Sequence, residues 1–420
     1  MMCDFAAITI APETDGTTLE SMFTMPITED FVRGTPYSKP TDRGLRPHRL
    51  PPHVRTRDAD AQLTLMESHP SGVRLEFLTE STRIGLELHS TRVAYRGMER
   101  ARGAVDVVVD GTFQSSMVLD GGDTIELDMA TGSRTLVSGE ADIVVADDLP
   151  TGEKKVQIWL PHNEQVDLIA LHSDAEVRPF TKSDRATEPV WLHYGSSISQ
   201  GSNAAHPTGI WPVVAARRAG VNLHNLGFGG SAMVDPFMAR LMQETPADLI
   251  SVKLGINVVN LDGMRRRIFV PAVHGFLDTI RDGHPETPLL VVSPTHCLIH
   301  EDTPGPGGVD PESITDGEMR FIATGKKGDT DLGRLTLQSV REALAEVVEA
   351  RSDDPNLHFL SGLDLFGAED ETRLPLPDGL HPVTEAHRLI GDRFADLVFG
   401  PDGVFGSSGG ASVAPLDLRC

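Results

Sequence analysis

Between residues 72 and 179 apolar side chains recur at every second position: Ile84, Leu86, Leu88; then Val105, Val107, Val109; then Val156, Ile158, Leu160; then Val166, Leu168. Successive side chains of a strand point to opposite faces, so a period of two predicts strands with a buried face. The turn pairs Asp110-Gly111, Gly121-Gly122 and Thr151-Gly152 separate these runs at short spacing, and no long helical pattern intervenes. An antiparallel β-sandwich domain over 59–180 is the economical arrangement. Upstream, residues 31–57 are rich in Pro, Arg and His without sustained periodicity. They predict an extended arm, so 1–58 reads as an N-terminal arm.

After a polar stretch at 181–188, which reads as a linker, the rhythm changes. Short apolar runs at 190–194, 221–226, 248–254, 288–293 and 357–360 alternate with segments long enough to cross over. That alternation predicts an α/β domain over 189–400, a parallel sheet with helices on both faces. One crossover carries Leu337, Val340, Leu344, Val347 and Val348 at helical spacing, and a closing helix carries Ala386, Ile390, Phe394 and Leu397. The Gly- and Ser-rich stretch 401–420 reads as a flexible tail.

Length agrees with this division, because 420 residues exceed what one typical core organises. The balance of 37 basic against 61 acidic side chains gives a formal net charge of −24. Such a chain repels phosphate backbones and anionic head groups, which excludes nucleic acid and membrane surfaces as expected partners. Three cysteines, Cys3, Cys297 and Cys420, imply no disulfide framework. The first residues show neither the basic flank nor the apolar length of a secretory signal, and no later run approaches a membrane span, so the expected location is cytoplasmic.

In an open parallel sheet the reactive crevice lies beyond the carboxyl ends of the strands. There the chain carries Gly195-Ser196-Ser197-Ile198-Ser199, then Asn225-Leu226-Gly227-Phe228-Gly229-Gly230, then Gly255-Ile256-Asn257, and finally Asp378-Gly379-Leu380-His381-Pro382. Together the four blocks resemble the SGNH/GDSL hydrolases, whose name gives Ser, Gly, Asn and His in the order found here. The resemblance spans about residues 190–399 and implies a flavodoxin-like SGNH hydrolase domain.

On that resemblance Ser197 is the nucleophile, His381 its general base, and Asp378 the carboxylate that orients the imidazole. Pro382 favours a loop at His381 and a helix after it. The resemblance further implies an oxyanion hole made by the backbone amides of Ser197 and Gly230 and the side chain of Asn257. Two positions depart from the family pattern: Ser196 stands where Asp is usual in Gly-Asp-Ser, and Val258 where Asp usually follows Asn.

A β-sandwich before such a domain is similar to the arrangement in some carbohydrate acetyl esterases and related GDSL-type lipases. This implies a small-molecule or carbohydrate ester as partner, a short acyl group, and an acyl-Ser197 intermediate without a cofactor or metal. Thioester hydrolysis or acyl transfer at the same site, and an inactive sugar- or ligand-binding protein, are the alternatives.

Other motifs are weaker. Gly227 and Gly230 lack the full dinucleotide fingerprint, and Gly325-Lys326 fails the Walker pattern. Ser199 and Met233 break the Gly-x-Ser-x-Gly elbow of α/β-hydrolases around Ser197 and Ser231. His296, Cys297 and His300 follow a strand without a second ligand pair, so His296 and His300 read as substrate-binding residues rather than a zinc site. The long stretch 298–331, rich in Gly, Pro and Asp, reads either as a lid or as a loose insertion.

Overall fold

The computed structural model describes residues 22–98, 100–128, 131–180, 184, 188–315 and 317–406. Five strands, Val190–Gly195, Asn222–Gly227, Leu249–Lys253, Leu289–Val292 and Leu357–Leu360, form a parallel sheet. Its order is second, first, third, fourth, fifth, the flavodoxin-like order with its switch point beside the first strand. Alternate residues face opposite layers. Leu192, Tyr194, Ile250, Val252 and Val291 pack under the helices Pro236–Glu244, Arg266–Gly283 and Leu337–Glu349. Trp191, Leu223, Leu249, Leu290 and Val292 pack under Trp211–Ala219 and Thr384–Phe394. The strand ends are therefore left as the open face.

The preceding region is a sandwich of an eight-stranded and a six-stranded sheet. Ile84, Leu86 and Leu88 of one sheet meet Val105, Val107, Val109, Val156 and Ile158 of the other in one buried core. Asp110 and Gly111, at φ 48° and 79°, close the two-residue hairpin between Ala104–Val109 and Thr112–Val118. One pairing departs from the antiparallel expectation: Asp123–Leu127 runs parallel to the end of Ile84–Tyr95. The chain between them crosses to the six-stranded sheet and back, which reverses the direction of its return.

The extended arm expected over 1–58 is corrected wherever the structure describes it. Phe23–Pro26 pairs with Gln165–Ser173, Tyr37–Pro40 forms a hairpin with Leu45–His48, and Pro52–Arg57 is a helix. Phe31 and Leu45 enter the sandwich core, while Leu50 and Val54 enter the core of the α/β domain. These pieces are too short to display a period, and the buried Arg49 is accommodated by carbonyl oxygens that only tertiary folding supplies. The helix Ala61–Glu67 likewise sends Leu63 into the α/β core.

The two layers share an interface. Val105, Val107 and Val109 point into the sandwich and Val108 into the α/β domain, so every residue of that strand is buried. Buried Asp106 accepts from the Thr208 amide at 2.9 Å and hydroxyl at 2.6 Å, and pairs with His206 Nδ1 at 2.8 Å. Most of 181–188 lies outside the described residues, though Asp184 pairs with Arg178 and Glu188 with Lys155. The tail expected from 401 is packed at its start: Phe405 is buried against Phe399, and 407–420 lie outside the described residues. Leu397, expected on the apolar face of the closing helix, is 47% exposed. A π-type turn over Ala395–Phe399 follows that helix and brings Val398 inward instead.

Candidate active site

Gly195 ends the first strand, and Ser196 sits at the N-cap of the one-turn helix Ser197–Gln200. Ser197 therefore lies at the mouth of the sheet, 8% exposed. A buried polar chain supports this helix. Trp191 Nε1 donates to Ser251 Oγ at 2.8 Å, leaving the Ser251 hydroxyl proton for His193 Nδ1 at 2.7 Å. His193 Nε2 then donates to Ser199 Oγ at 2.8 Å. Burial holds that imidazole neutral by pushing its pKa down to about 3.

His381 lies in the loop before the closing helix. Its Nε2 is 2.9 Å from Ser197 Oγ, and its Nδ1 is 2.7 Å from Asp378 Oδ2. The other carboxylate oxygen of Asp378 accepts the backbone N–H groups of Leu380 at 2.9 Å and His381 at 2.7 Å. The loop thus wraps around its own carboxylate. Burial works to raise the Asp378 carboxyl, but the bond to His381 and these amides outweigh it and hold it below its ordinary value.

Gly229 and Gly230 turn just after the second strand, with Gly230 in the left-handed region at φ 72°. Gly229 N–H donates to Gln200 Oε1 at 2.7 Å, tying this turn to the nucleophile helix. Gly255, at φ 116°, could not carry a side chain, because a Cβ there would lie 2.3 Å from Val340 Cγ1. It aims the next residues across the mouth. Asn257 Oδ1 accepts the Ala232 N–H at 3.0 Å, which fixes the amide and turns its NH₂ end the other way. A serine hydroxyl, an imidazole backed by a carboxylate, and amide donors are the parts that acyl transfer needs.

Sequence reasoning passed over two contributors. Asn203 Nδ2 donates to Asp378 Oδ2 at 3.1 Å from a left-handed residue at φ 66°. Its one sequence signal is an Asn soon after a Gly in a turn. Phe321 comes from the long insertion: its N–H donates to the Asp378 carbonyl at 2.7 Å, and its ring meets His381 edge to face at 5.6 Å. The insertion forms the hairpin Gly307–Val309 with Phe321–Ala323 and rests on the catalytic-type loop.

His300 does not join the site. It is fully buried, with Nδ1 3.2 Å from the Thr303 carbonyl and Nε2 3.0 Å from Asn260 Oδ1. Both ring nitrogens serve the base of the insertion, which corrects its assignment to substrate. His296 Nδ1 is held 2.6 Å from Glu371 Oε2. Burial pushes the Cys297 thiol between them up to about 12. Among the described residues no group of three or more His, Cys, Asp or Glu side chains is arranged to hold a metal ion. Val258 is wholly buried in the core, and the Ser196 hydroxyl is buried without a hydrogen-bond partner among the described residues. No helix among them is long and apolar enough to cross a membrane.

No curated protein sequence matches the chain. Among solved structures, a salicylyl-acyltransferase, SsfX3, of a tetracycline biosynthetic pathway is similar at 25% identity and a TM-score of 0.72, covering 89% of this chain and 96% of that one. A protein described as a GDSL-like lipase from Bacteroides ovatus shares the fold at 19% identity and a TM-score of 0.62, with coverage of 89% and 96%. An acetyl xylan esterase, Est2A, from the rumen bacterium Butyrivibrio proteoclasticus shares it at 11% identity and a TM-score of 0.50, with coverage of 91% and 99%. Residues 193–389, just under half of the chain, match the GDSL-like lipase/acylhydrolase family, so this stretch is similar to the domain of that family.

Proposed function

We propose that the protein is a serine esterase that hydrolyses a short-chain acyl ester, with O-acetylated carbohydrates as the first substrate class to test, through an acyl intermediate on Ser197. The observation that carries this reading is the line of contacts from Ser197 Oγ through His381 to Asp378, 2.9 and 2.7 Å long. As Oγ attacks the ester carbonyl carbon, His381 Nε2 takes its proton, and Asp378 stabilises the imidazolium that forms. Negative charge on the former carbonyl oxygen meets the amides of Ser197 and Gly230 and the NH₂ of Asn257. Collapse breaks the ester C–O bond, and the leaving alcohol takes the proton from His381. Water then repeats the sequence on the acyl-serine, releasing the acid and restoring the hydroxyl.

Hydrolysis of p-nitrophenyl acetate and of a panel of acetylated sugars tests this. Ser197→Ala is expected to lower kcat by at least about 10³-fold. Turnover that persists unchanged in that variant defeats the assignment.

Acyl transfer to an alcohol is the second reading, favoured by the near full-length likeness to a salicylyl-acyltransferase. The same site would serve, with the acceptor hydroxyl replacing water in the second half. Product analysis in the presence of competing alcohols separates the two: new ester points to transfer, free acid to hydrolysis.

A further inference from the structure

A peptide group is planar, so the carbonyl of Gly229 and the N–H of Gly230 point to opposite sides of one rigid plate. Neither flanking residue has a Cβ, and Gly230 sits at φ 72°, so steric hindrance to rotating this plate is unusually small. Its orientation decides whether the Gly230 N–H faces the site. Something must hold it.

The carbonyl end accepts a hydrogen bond of 2.9 Å from Gln62 Nε2. Ser231 Oγ makes a longer contact of 3.4 Å with the same oxygen. Gln62 lies on the helix Ala61–Glu67, outside the family-matched residues 193–389. One turn further along, Met66 packs on the same turn: a Cβ built at Gly229 would lie 3.0 Å from Met66 Sδ and 3.6 Å from Ser197 Cβ. The helix thus stands across a glycine from the nucleophile. It is itself anchored, since Asp60 caps it by accepting the Leu63 N–H at 2.7 Å.

We propose that Gln62 is a positioning residue of the oxyanion site. By donating to the Gly229 carbonyl it locks the 229–230 peptide so that the Gly230 N–H is presented to the substrate oxygen. A hydrogen bond at the carbonyl also polarises the amide and strengthens the N–H at its other end as a donor. The inference rests on the proposed function for the role of Gly230, and it extends the catalytic apparatus into the module that precedes the hydrolase domain.

Gln62→Glu keeps the shape but cannot donate when ionised, and Gln62→Leu removes the polar group. In both, kcat on p-nitrophenyl acetate is expected to fall roughly tenfold with KM within about twofold, because only transition-state stabilisation is lost. Affinity for an alkyl boronic acid, which forms a tetrahedral adduct on Ser197, should fall by the same factor. Gln62→Lys, which restores a donor, should recover most of the rate. Unchanged kcat in Gln62→Glu and Gln62→Leu, against a wild type whose turnover depends on Ser197, overturns the clamp and leaves the esterase standing. If the wild type shows no such turnover, it is the functional reading that fails. Crystal structures of the wild type and Gln62→Leu then decide the clamp: a rotated or multiply oriented 229–230 peptide in the variant supports it, and an unaltered one overturns it.

Discussion

Around Asp378 the balance between burial and hydrogen bonding is visible atom by atom. Burial disfavours the carboxylate, yet His381, two backbone amides and the Asn203 side chain all donate to it. Asn203 also reaches the His381 carbonyl at 3.5 Å, so it spans both ends of the loop. Its left-handed backbone allows a clean deletion, because glycine accepts φ 66° without strain. Asn203→Gly is expected to lower kcat/KM roughly fivefold to tenfold, in line with loss of a charge-assisted hydrogen bond. Steady-state kinetics beside a thermal melt checks this; a fall in melting temperature with unchanged kinetics would make Asn203 a fold residue only.

Among the elements, the stretch from Leu45–His48 to the helix Ala61–Glu67 joins the two layers, with Leu45 in the sandwich core and Leu50, Val54 and Leu63 in the α/β core. Arg49 lies wholly buried within it. Its guanidinium donates to the carbonyls of Asn225 at 3.2 Å, Gly227 at 2.6 Å and Met66, and covers the Phe228 ring at 4.5 Å. The first two carbonyls belong to the strand Asn222–Gly227 that leads into the turn at Gly230, and the third to the helix Ala61–Glu67. Burial lowers the Arg49 pKa to about 9 despite Glu67 nearby, so the charge persists at neutral pH. Arg49→Met keeps much of the volume but takes the donor away from three carbonyls, and is expected to cost about 3 kcal/mol. Urea unfolding tests it; a midpoint equal to wild type would show the cation to be dispensable.

For the molecule as a whole, buried histidines set the response to acid. Burial depresses His69, His162 and His193 to about 3, and His224 and His387 to about 4. Unfolded histidine titrates near ~6.5, so below that the unfolded chain binds more protons than the native one. Their stabilisation is complete above that value and drains away as pH falls towards 4 and 3. Burial would raise Glu76, but Arg74 and Lys155 pull it down to about 2, adding a loss of the same sign below pH 4.5. Asp235, raised by burial to about 6, acts oppositely: its contribution is present in acid and lost as pH rises through 6. Five histidines outweigh one carboxyl. The urea midpoint is expected to drop between pH 7.5 and 5. A flat or rising profile would contradict the burial of these rings.

Local chemistry was enough for the architecture. Alternation at Val105, Val107 and Val109 marks a strand whatever surrounds it, and Asp110-Gly111 marks its hairpin. The four strand-end blocks are short and contiguous, so the resemblance and its candidate residues were legible as letters. Distance was not. That Ser197 and His381 lie 2.9 Å apart is a property of the folded sheet, as are Gln62 against Gly229, Asn203 against Asp378 and Phe321 against His381. His300, polar and beside a promising strand end, turned inward because Asn260 and Thr303 gave its two nitrogens partners. The arm took on structure because two separate cores accepted its side chains. Periodicity and turn chemistry act over a few neighbouring residues and are written along the chain. The partner of a buried polar group is chosen by close packing between segments far apart in sequence, and only the folded chain brings them together.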